Sequence, residues 1–170
     1  MKFILRSAVL ALAAAFVTFA APALAQGTNV PFGVLRQDTS LPVEITADQL
    51  QIDQSDGSAL FSGNVVIGQG EMRLSAAEVR VEYASSAGDA TGGISRLLAS
   101  GGVVLASGAE AAEAREAVYS IALGNIVLTG SVILTQGRNV MAADRMEIEL
   151  GSGTARLNGR VRTILQPGGN

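Results

Sequence analysis

The sequence predicts an all-β fold for the chain that follows its first 25 residues. Three observations lead to this prediction: apolar residues recur with a period of two, Gly- and Ser-rich breaks separate the alternating runs, and a Gly-x-Val element is repeated. Strand-like runs about 8–12 residues apart, with turn signals between them, indicate a sandwich or a barrel. Because 48% of the 170 residues are hydrophobic and only 4% are aromatic, the core of this fold must be aliphatic.

Residues 1–25 have the features of a signal peptide. Lys2 and Arg6 supply a positive start, a continuous apolar run follows, and Ala23-Leu24-Ala25 places small residues at the −3 and −1 positions of a cleavage site. A membrane anchor is the alternative, but the apolar run ends at Pro22 and is shorter than the roughly 20 residues that a spanning helix needs. We therefore predict cleavage and export across the cytoplasmic membrane. No Cys follows the site, which excludes a lipoprotein anchor.

The remaining 145 residues suit a single domain. Gly, Pro and Asn are frequent in residues 26–41, which are predicted to be a flexible leader, and residues 167–170 are predicted to be a frayed tail. The domain itself is predicted to span residues 42–166, and its first strand to begin directly after Pro42.

Charge limits the class of partner. Once the signal is removed, Arg is the only basic residue type, and 10 Arg against 15 acidic residues give a net charge of −5. Nucleic-acid affinity comes mainly from neutralised phosphates, so no nucleic-acid partner is expected. Any contact with a phosphate group must use Arg.

Period-two alternation marks the strands. The apolar members of the alternating runs lie at 79, 81 and 83, at 117, 119, 121 and 123, at 146, 148 and 150, and at 161 and 165, with Thr163 between the last two. Such alternation is typical of strands that bury one face. One stretch is an exception, because residues 109–117 have helix-favouring composition. We leave this stretch open as a short helix, a loop or an edge strand, and expect a loop over residues 85–93.

A repeat accompanies the alternation. Gly-x-Val occurs at residues 63–65, 101–103, 130–132 and 159–161, and a second element, Ala followed by an acidic residue, occurs at 47–48, 77–78 and 143–144. Glycine normally weakens a strand, so its recurrence indicates β-bulges or tight bends that let a sheet curl. Each unit is therefore predicted to contain a strand that carries the glycine, a turn, and a returning strand.

No constellation of residues supports catalysis. The chain has no His, Cys or Trp, which excludes a Ser-His-Asp triad, a Cys nucleophile, the usual zinc ligands and disulfides. Asp53 with Asp56, and Glu110 with Glu113 and Glu116, are interpreted as solvated turn and edge charges rather than an acid–base pair or a calcium site. The Gly-Gln-Gly run at 68–70 is interpreted as a turn. We predict no catalytic residue, no metal and no cofactor, and conclude that the protein is not an enzyme.

Several motifs together resemble a known family. They are Leu-Pro-Val-Glu-Ile-Thr-Ala-Asp at 41–48, Phe-Ser-Gly-Asn-Val-Val-Ile-Gly-Gln-Gly at 61–70, Ala-Ala-Glu-Val at 76–79, Ala-Val-Tyr at 117–119 and Ile-Val-Leu-Thr-Gly-Ser-Val at 126–132, with Thr-Gln-Gly at 135–137 and Ala-Asp-Arg at 143–145. In this order and spacing they resemble the LptA/OstA-like family of lipopolysaccharide-transport proteins, over roughly residues 41–165. The chain departs from the family pattern at residues 84–116, where residues 103–105 are the candidate groove strand.

The resemblance implies a fold and a role. The fold is a twisted antiparallel β-jellyroll, open along one side, which here is built from the repeated Gly-x-Val strand units. The role is a bridge across the periplasm in outer-membrane biogenesis, with the lipid A acyl chains of lipopolysaccharide inside the jellyroll. The implied partners are lipopolysaccharide, an inner-membrane-anchored protein of the same fold, the periplasmic domain of an outer-membrane barrel protein, and further copies joined head to tail.

Two sets of candidate residues follow. The resemblance places Val43, Ile45, Tyr119 and Ile121 in the lipid-binding groove, and alternation adds Ile67, Leu74, Val79, Val81, Leu128, Met146 and Ile148. The first and last strands, 43–47 and 160–165, are expected to use their free edges for β-augmentation by partners; the candidate edge residues are Val43, Glu44, Ile45, Thr46, Val161, Thr163 and Leu165. An alternative function is that of an assembly scaffold of the same pathway that does not carry lipid itself.

Overall fold

A computed structural model describes residues 28–31, 38–84 and 93–166 of the chain. These residues form eleven strands and no helix. The strands are β1 (Thr28–Pro31), β2 (Glu44–Thr46), β3 (Gln49–Ile52), β4 (Ala59–Gln69), β5 (Met72–Tyr83), β6 (Ile94–Ser107), β7 (Glu110–Ser120), β8 (Asn125–Gln136), β9 (Asn139–Glu149), β10 (Thr154–Asn158) and β11 (Arg162–Ile164).

All eleven strands belong to one sheet in which every pairing is antiparallel. The strand order is β1-β10-β9-β8-β7-β6-β5-β4-β2, with β3 also pairing β4 and β11 also pairing β9. This order is a path with two ends, so the sheet is open. We call the end formed by β2 and β3 the N-terminal edge, and the end formed by β10 and β11, with β1 on the outer side of β10, the C-terminal edge.

The sheet rolls over on itself and buries one face. Val79 and Val81 are fully buried, whereas Glu78 and Arg80 between them are exposed. A flat single sheet would leave both faces in water, so the buried face must pack against another part of the same sheet. The predicted all-β, antiparallel and open jellyroll is confirmed.

The repeated glycines sit at β-bulges. Each long strand pair changes register by one residue near a Gly-x-Val element, as between Ser62 and Val65 on β4. Gly63 has a φ of +77°, and a Cβ there would lie 2.6 Å from Oδ2 of Asp48 on the neighbouring strand segment. Glycine is therefore required for both the backbone conformation and the close approach. The bulges increase local twist and let the sheet roll.

The second repeat element lies opposite the first, but its copy near residue 77 is aligned one residue away from the position that the sequence predicts. The residues opposite the four glycines are Asp48, Ala77, Arg115 and Asp144. The alignment of Ala with Glu at 77–78 was therefore wrong by one residue, and the copy at 114–115 was missed because Arg occupies the acidic position. Three of the four pairs are 15 residues apart in sequence, and the pair with Ala77 is 24 apart because the β5–β6 connection is longer.

Residues 110–117 are neither a helix, a loop nor an edge strand, and residue 109 lies in the turn before them. Residues 110–117 lie within β7, which pairs with β6 on one side and β8 on the other. Ala112, Ala114 and Ala117 face the interior and are buried, while Glu113 and Glu116 face outward. Pairing on both sides supplies the backbone hydrogen bonds that a helix would otherwise provide, so the tertiary context overrides the helix propensity of the segment.

Two other differences concern the ends of the chain. The segment 26–41, expected to be a leader, contains β1, which pairs with β10. The alternation at Val161, Thr163 and Leu165 does not bury one face, because all three side chains are exposed at the C-terminal edge. The segments predicted to be the signal peptide and the tail at 167–170, and most of the loop expected at 85–93, lie outside the described residues.

Candidate functional site

The candidate groove residues are brought together in one interior. Eight of the eleven have at most 2% of their surface exposed: Ile67, Leu74, Val79, Val81, Tyr119, Leu128, Met146 and Ile148. The other three, Val43, Ile45 and Ile121, are partly buried and pack against the same core. The site is therefore the inner face of the rolled sheet, and the candidates lie on six of its strands or directly beside them. Their contact with lipid stays a prediction.

The strand register arranges this lining in layers. Leu128 lies opposite Met146 and Ile126 opposite Ile148 on the β8–β9 pair, and Leu97 lies opposite Tyr119 on the β6–β7 pair. Residues 103–105, the candidate groove strand in the divergent region, contribute Val103 and Leu105, both at 0% exposure. The alternation did not single out the buried residues Val65, Met72, Leu97, Ile126, Leu134 and Met141. Counting in steps of two from the bulges would have found them.

The lining is aliphatic and closely filled. Alanine contributes much of it, with Ala59, Ala76, Ala99, Ala112, Ala114, Ala117, Ala143 and Ala155 all buried. Among the described residues, Tyr119 is the one aromatic side chain in the buried core. The inward side chains have almost no contact with water, so they leave no water-filled channel along these positions.

A polar contact joins two parts of the rolled sheet. Tyr119 Oη donates a hydrogen bond of 2.6 Å to Gln69 Oε1, and Gln69 Nε2 donates to the carbonyl oxygens of Leu41 at 2.9 Å and Thr39 at 3.2 Å. Burial raises the pKa of Tyr119 to about 12, and the hydrogen bond to Gln69 opposes this rise. The contact fixes the segment before β2 over one end of the interior.

A second polar group lies at the end of the lining formed by the β6–β7 and β8–β9 turns. Gln136 Nε2 donates a 2.7 Å hydrogen bond to Glu110 Oε1, and Glu110 is 7% exposed. Glu110 Oε2 is buried and has no hydrogen-bond partner. The first of the three glutamates interpreted as solvated edge charges is therefore an interior residue, a position that helical spacing could not indicate.

The other charged candidates lie in turns and on the outer face. Asp53 accepts hydrogen bonds from Ser55, and Asp56 accepts one from the Ser58 backbone; these bonds lower the pKa of both carboxyl groups. Arg80, which is exposed on β5, donates to Oγ of Ser58, which is buried. Within the described part of the chain, no group of three or more acidic side chains is placed to hold a metal ion. These positions fit the interpretation of structural turn charges.

The candidate edge residues lie at opposite ends of the sheet. Glu44, Ile45 and Thr46 form β2 at the N-terminal edge, where β4 is their strand partner. Thr163 is in β11 at the C-terminal edge, Val161 directly precedes that strand, and Leu165, which follows it, is 68% exposed. Each edge therefore presents short strand segments beside exposed apolar side chains.

The N-terminal edge also has two apolar residues that the sequence did not single out. Leu50 lies opposite Phe61 and Ile52 opposite Ala59, so both belong to the inner face. They are nevertheless 54% and 66% exposed. Leu50 and Ile52 lie two and four residues after Asp48, which faces Gly63. Val79 and Val81 lie two and four residues after Ala77, which faces Gly101, and they are fully buried. The inner face is thus incomplete at this edge, where none of the described strands continues the sheet beyond β2 and β3.

Comparison with known proteins shows the family. Residues 44–154 match the family described as LptA/(LptD N-terminal domain) LPS transport protein. An uncharacterised protein of Rhizobium meliloti (strain 1021) is 34% identical over 155 residues, which cover 87% of this chain and 83% of that protein. The described residues include no helix with the length and apolar character that a membrane crossing requires.

A solved structure supports the fold. LptH, described as the LptA homologous periplasmic component of the lipopolysaccharide transport device of Pseudomonas aeruginosa, superimposes with a TM-score of 0.66 at 17% identity. The match covers 77% of this chain and 99% of that one. The fold therefore has a counterpart in a protein of low sequence identity. Since the family match spans more than half of the sequence, the chain belongs to the LptA/LptD N-terminal domain family and takes part in lipopolysaccharide transport.

Proposed function

We propose that this protein carries lipopolysaccharide across the periplasm and shields the lipid A acyl chains inside its rolled sheet. The observation that supports this proposal is the continuous aliphatic inner face of an open sheet, lined by the candidate groove residues from β2 to β9. An acyl chain needs no chemistry from its carrier. It needs only a surface that replaces water along its length.

The energetics favour such a surface. Each methylene group moved from water into an apolar environment gains about 0.8 kcal/mol, so a lipid with several acyl chains cannot cross water unshielded. The interior supplies Val, Ile, Leu, Ala and Met side chains in register on neighbouring strands. The sugars of the lipid would remain in water outside the open side.

Binding requires the interior to widen. The inward side chains pack against one another in the free protein, so acyl chains must replace contacts such as those around Leu128 and Met146. An open sheet can widen without breaking its strand ladder, because its two edges are not hydrogen-bonded to each other. The segment before β2, which is hydrogen-bonded to Gln69, lies at one end of the interior. Lipid that enters at this end would displace the segment, whereas lipid that enters elsewhere would leave it as the boundary of the interior.

The sheet edges suit end-to-end assembly. In this proposal the N-terminal edge pairs with the C-terminal edge of a preceding copy or of an inner-membrane-anchored protein with the same fold. The C-terminal edge pairs with a following copy or with the periplasmic domain of an outer-membrane barrel protein. The unpaired sides of β2 and β11 provide the backbone groups for such augmentation. A cleavable signal peptide would deliver the chain to the periplasm.

Photocrosslinking during lipopolysaccharide export tests the carrier role. A photoreactive amino acid replaces Ile45 at the edge of the interior or Tyr119 within it, and Glu113 on the outer face of β7 is the matched control. We expect lipopolysaccharide adducts from the two inner positions and none from Glu113. Exported, folded protein that gives no adduct from either inner position would overturn the proposal.

A further inference from the structure

The repeated units give the register in which a second copy could continue the sheet. On the β8–β9 pair, Leu128 lies opposite Met146 and Leu134 opposite Met141. Leu128 lies two residues before the bulge glycine of its strand, and Met146 lies two residues after the residue of β9 that faces the next bulge glycine. The equivalent residues also pair on β6–β7 and on β4–β5. Applied to the last unit, this pattern places Leu157 opposite Leu50 of a second copy.

The same rule defines the other half of the junction. Thr163 of one copy would lie opposite Ile45 of the next, and Arg162 opposite its Thr46. The junction therefore has two halves: β10 would pair with β3 of the second copy, and β11 with β2. Leu50 and Ile52, exposed on the inner face of the free N-terminal edge, would be covered in the first half.

In the single chain, however, β1 occupies the first half. Thr28 lies opposite Leu157 and Val30 opposite Ala155, in the same antiparallel sense that the second copy would adopt. Thr28 and Val30 thus hold the register positions of Leu50 and Ile52 of the second copy. No described strand pairs with the outer side of β11, so the second half is uncovered.

We propose that β1 is a removable cap that competes with a second copy of this chain for β10. This inference rests on the proposed end-to-end assembly and adds its regulation. A second copy first pairs its β2 with β11, and its β3 then replaces β1. The exchange substitutes one set of backbone hydrogen bonds for another, and burial of Leu50 and Ile52 drives it forward. A free chain is thereby protected against indiscriminate edge pairing.

Release of the cap is the first test. Asn29→Pro with Val30→Pro removes two backbone donors from β1 in the exported chain and should prevent its pairing. Asn29→Ala with Val30→Ala keeps the donors and is the matched control. Because a competing cap lowers apparent affinity by the uncapped fraction, we expect the dissociation constant from sedimentation velocity to fall about tenfold in the proline variant only.

Locking the cap is the second test. Asn29 lies opposite Arg156, and residues directly opposite in an antiparallel pair have the Cα separation that a disulfide needs. The chain has no other Cys, so Asn29→Cys with Arg156→Cys gives a unique pair. The oxidised protein should associate more weakly than the same protein after reduction. Equal association of wild type, the proline variant and the oxidised protein overturns the cap.

A third variant separates the cap from the assembly itself. Thr46→Cys with Arg162→Cys places one cysteine on each edge, opposite each other in the expected junction and in the half that β1 does not cover. Disulfide-linked dimers on a non-reducing gel report end-to-end pairing directly. If these dimers form but the dissociation constant is the same with β1 released, locked or unchanged, the cap is wrong and end-to-end assembly stands. If they form in no background, end-to-end assembly is wrong and the cap falls with it.

Discussion

The hydroxyl of Tyr119 on β7 donates a 2.6 Å hydrogen bond to the side chain of Gln69 on β4, although β5 and β6 lie between these strands in the sheet. The strand register places Tyr119 level with Ala59, ten residues before Gln69 on β4. At about 3.3 Å per residue along a strand and about 4.8 Å between strands, a flat sheet would therefore separate Tyr119 from Gln69 by more than about 30 Å. The bond therefore measures how strongly the sheet rolls. It joins strands that meet only through the buried interior, and it couples the interior to the segment before β2.

Loss of this hydrogen bond should weaken the fold. We expect Tyr119→Phe to lower the free energy of unfolding by about 1 kcal/mol, the usual net contribution of a hydrogen bond. Urea denaturation followed by circular dichroism measures the change. Tyr83→Phe is the matched control, because Tyr83 is 45% exposed and its variant should stay within about 0.5 kcal/mol of wild type. Equal effects of the two substitutions would contradict this role of Tyr119.

The raised pKa of Tyr119 makes stability depend on alkaline pH. Burial raises the pKa of Tyr119 to about 12, above the ordinary value near 10 that applies in the unfolded chain. The unfolded state thus loses its proton first, and the contribution of Tyr119 is complete below pH about 10 and lost as pH rises towards 12. Ultraviolet titration of Tyr83→Phe, which leaves Tyr119 as the single tyrosine, should give a midpoint near 12 while the fold persists. A midpoint near 10 in folded protein contradicts the prediction.

The bulge at Gly101 should not tolerate a side chain. Gly101 has a φ of +83°, and a Cβ there would lie 2.6 Å from Cβ of Ala77. A non-glycine residue in this region costs about 1–3 kcal/mol before any clash is counted. We expect Gly101→Ala to lower the free energy of unfolding by at least about 2 kcal/mol, measured by urea denaturation.

Two further variants show which cause dominates at Gly101. Gly151→Ala is the matched control, because no atom lies within 4 Å of a Cβ built there and its φ is outside the left-handed region. Adding Ala77→Gly to Gly101→Ala removes the clash but not the backbone strain, so stability should recover in part. Complete tolerance of Gly101→Ala would show that the bulge can adopt another conformation.

Local features of the sequence carried much of the fold. Period-two alternation identified the inward residues of β5 and β9, such as Val79, Val81, Met146 and Ile148, because burying one face of a strand constrains every second residue. The Gly-x-Val repeat identified the bulges, because glycine is the residue that enters left-handed backbone conformations without a steric penalty. Both signals need only a few neighbouring residues.

Other features depend on partners distant in sequence. Residues 110–117 favour a helix by composition and become a strand because β6 and β8 flank them. The register of Ala77 against Gly101 depends on the length of the β5–β6 connection, and β1 became visible only through its pairing with β10. The sequence by itself determined which side chains of β5 and β9 face inward and where the sheet can bend. The tertiary structure decided which bends meet, how Tyr119 reaches Gln69 and which edge β1 covers, because strand pairing and rolling join residues that no local pattern relates.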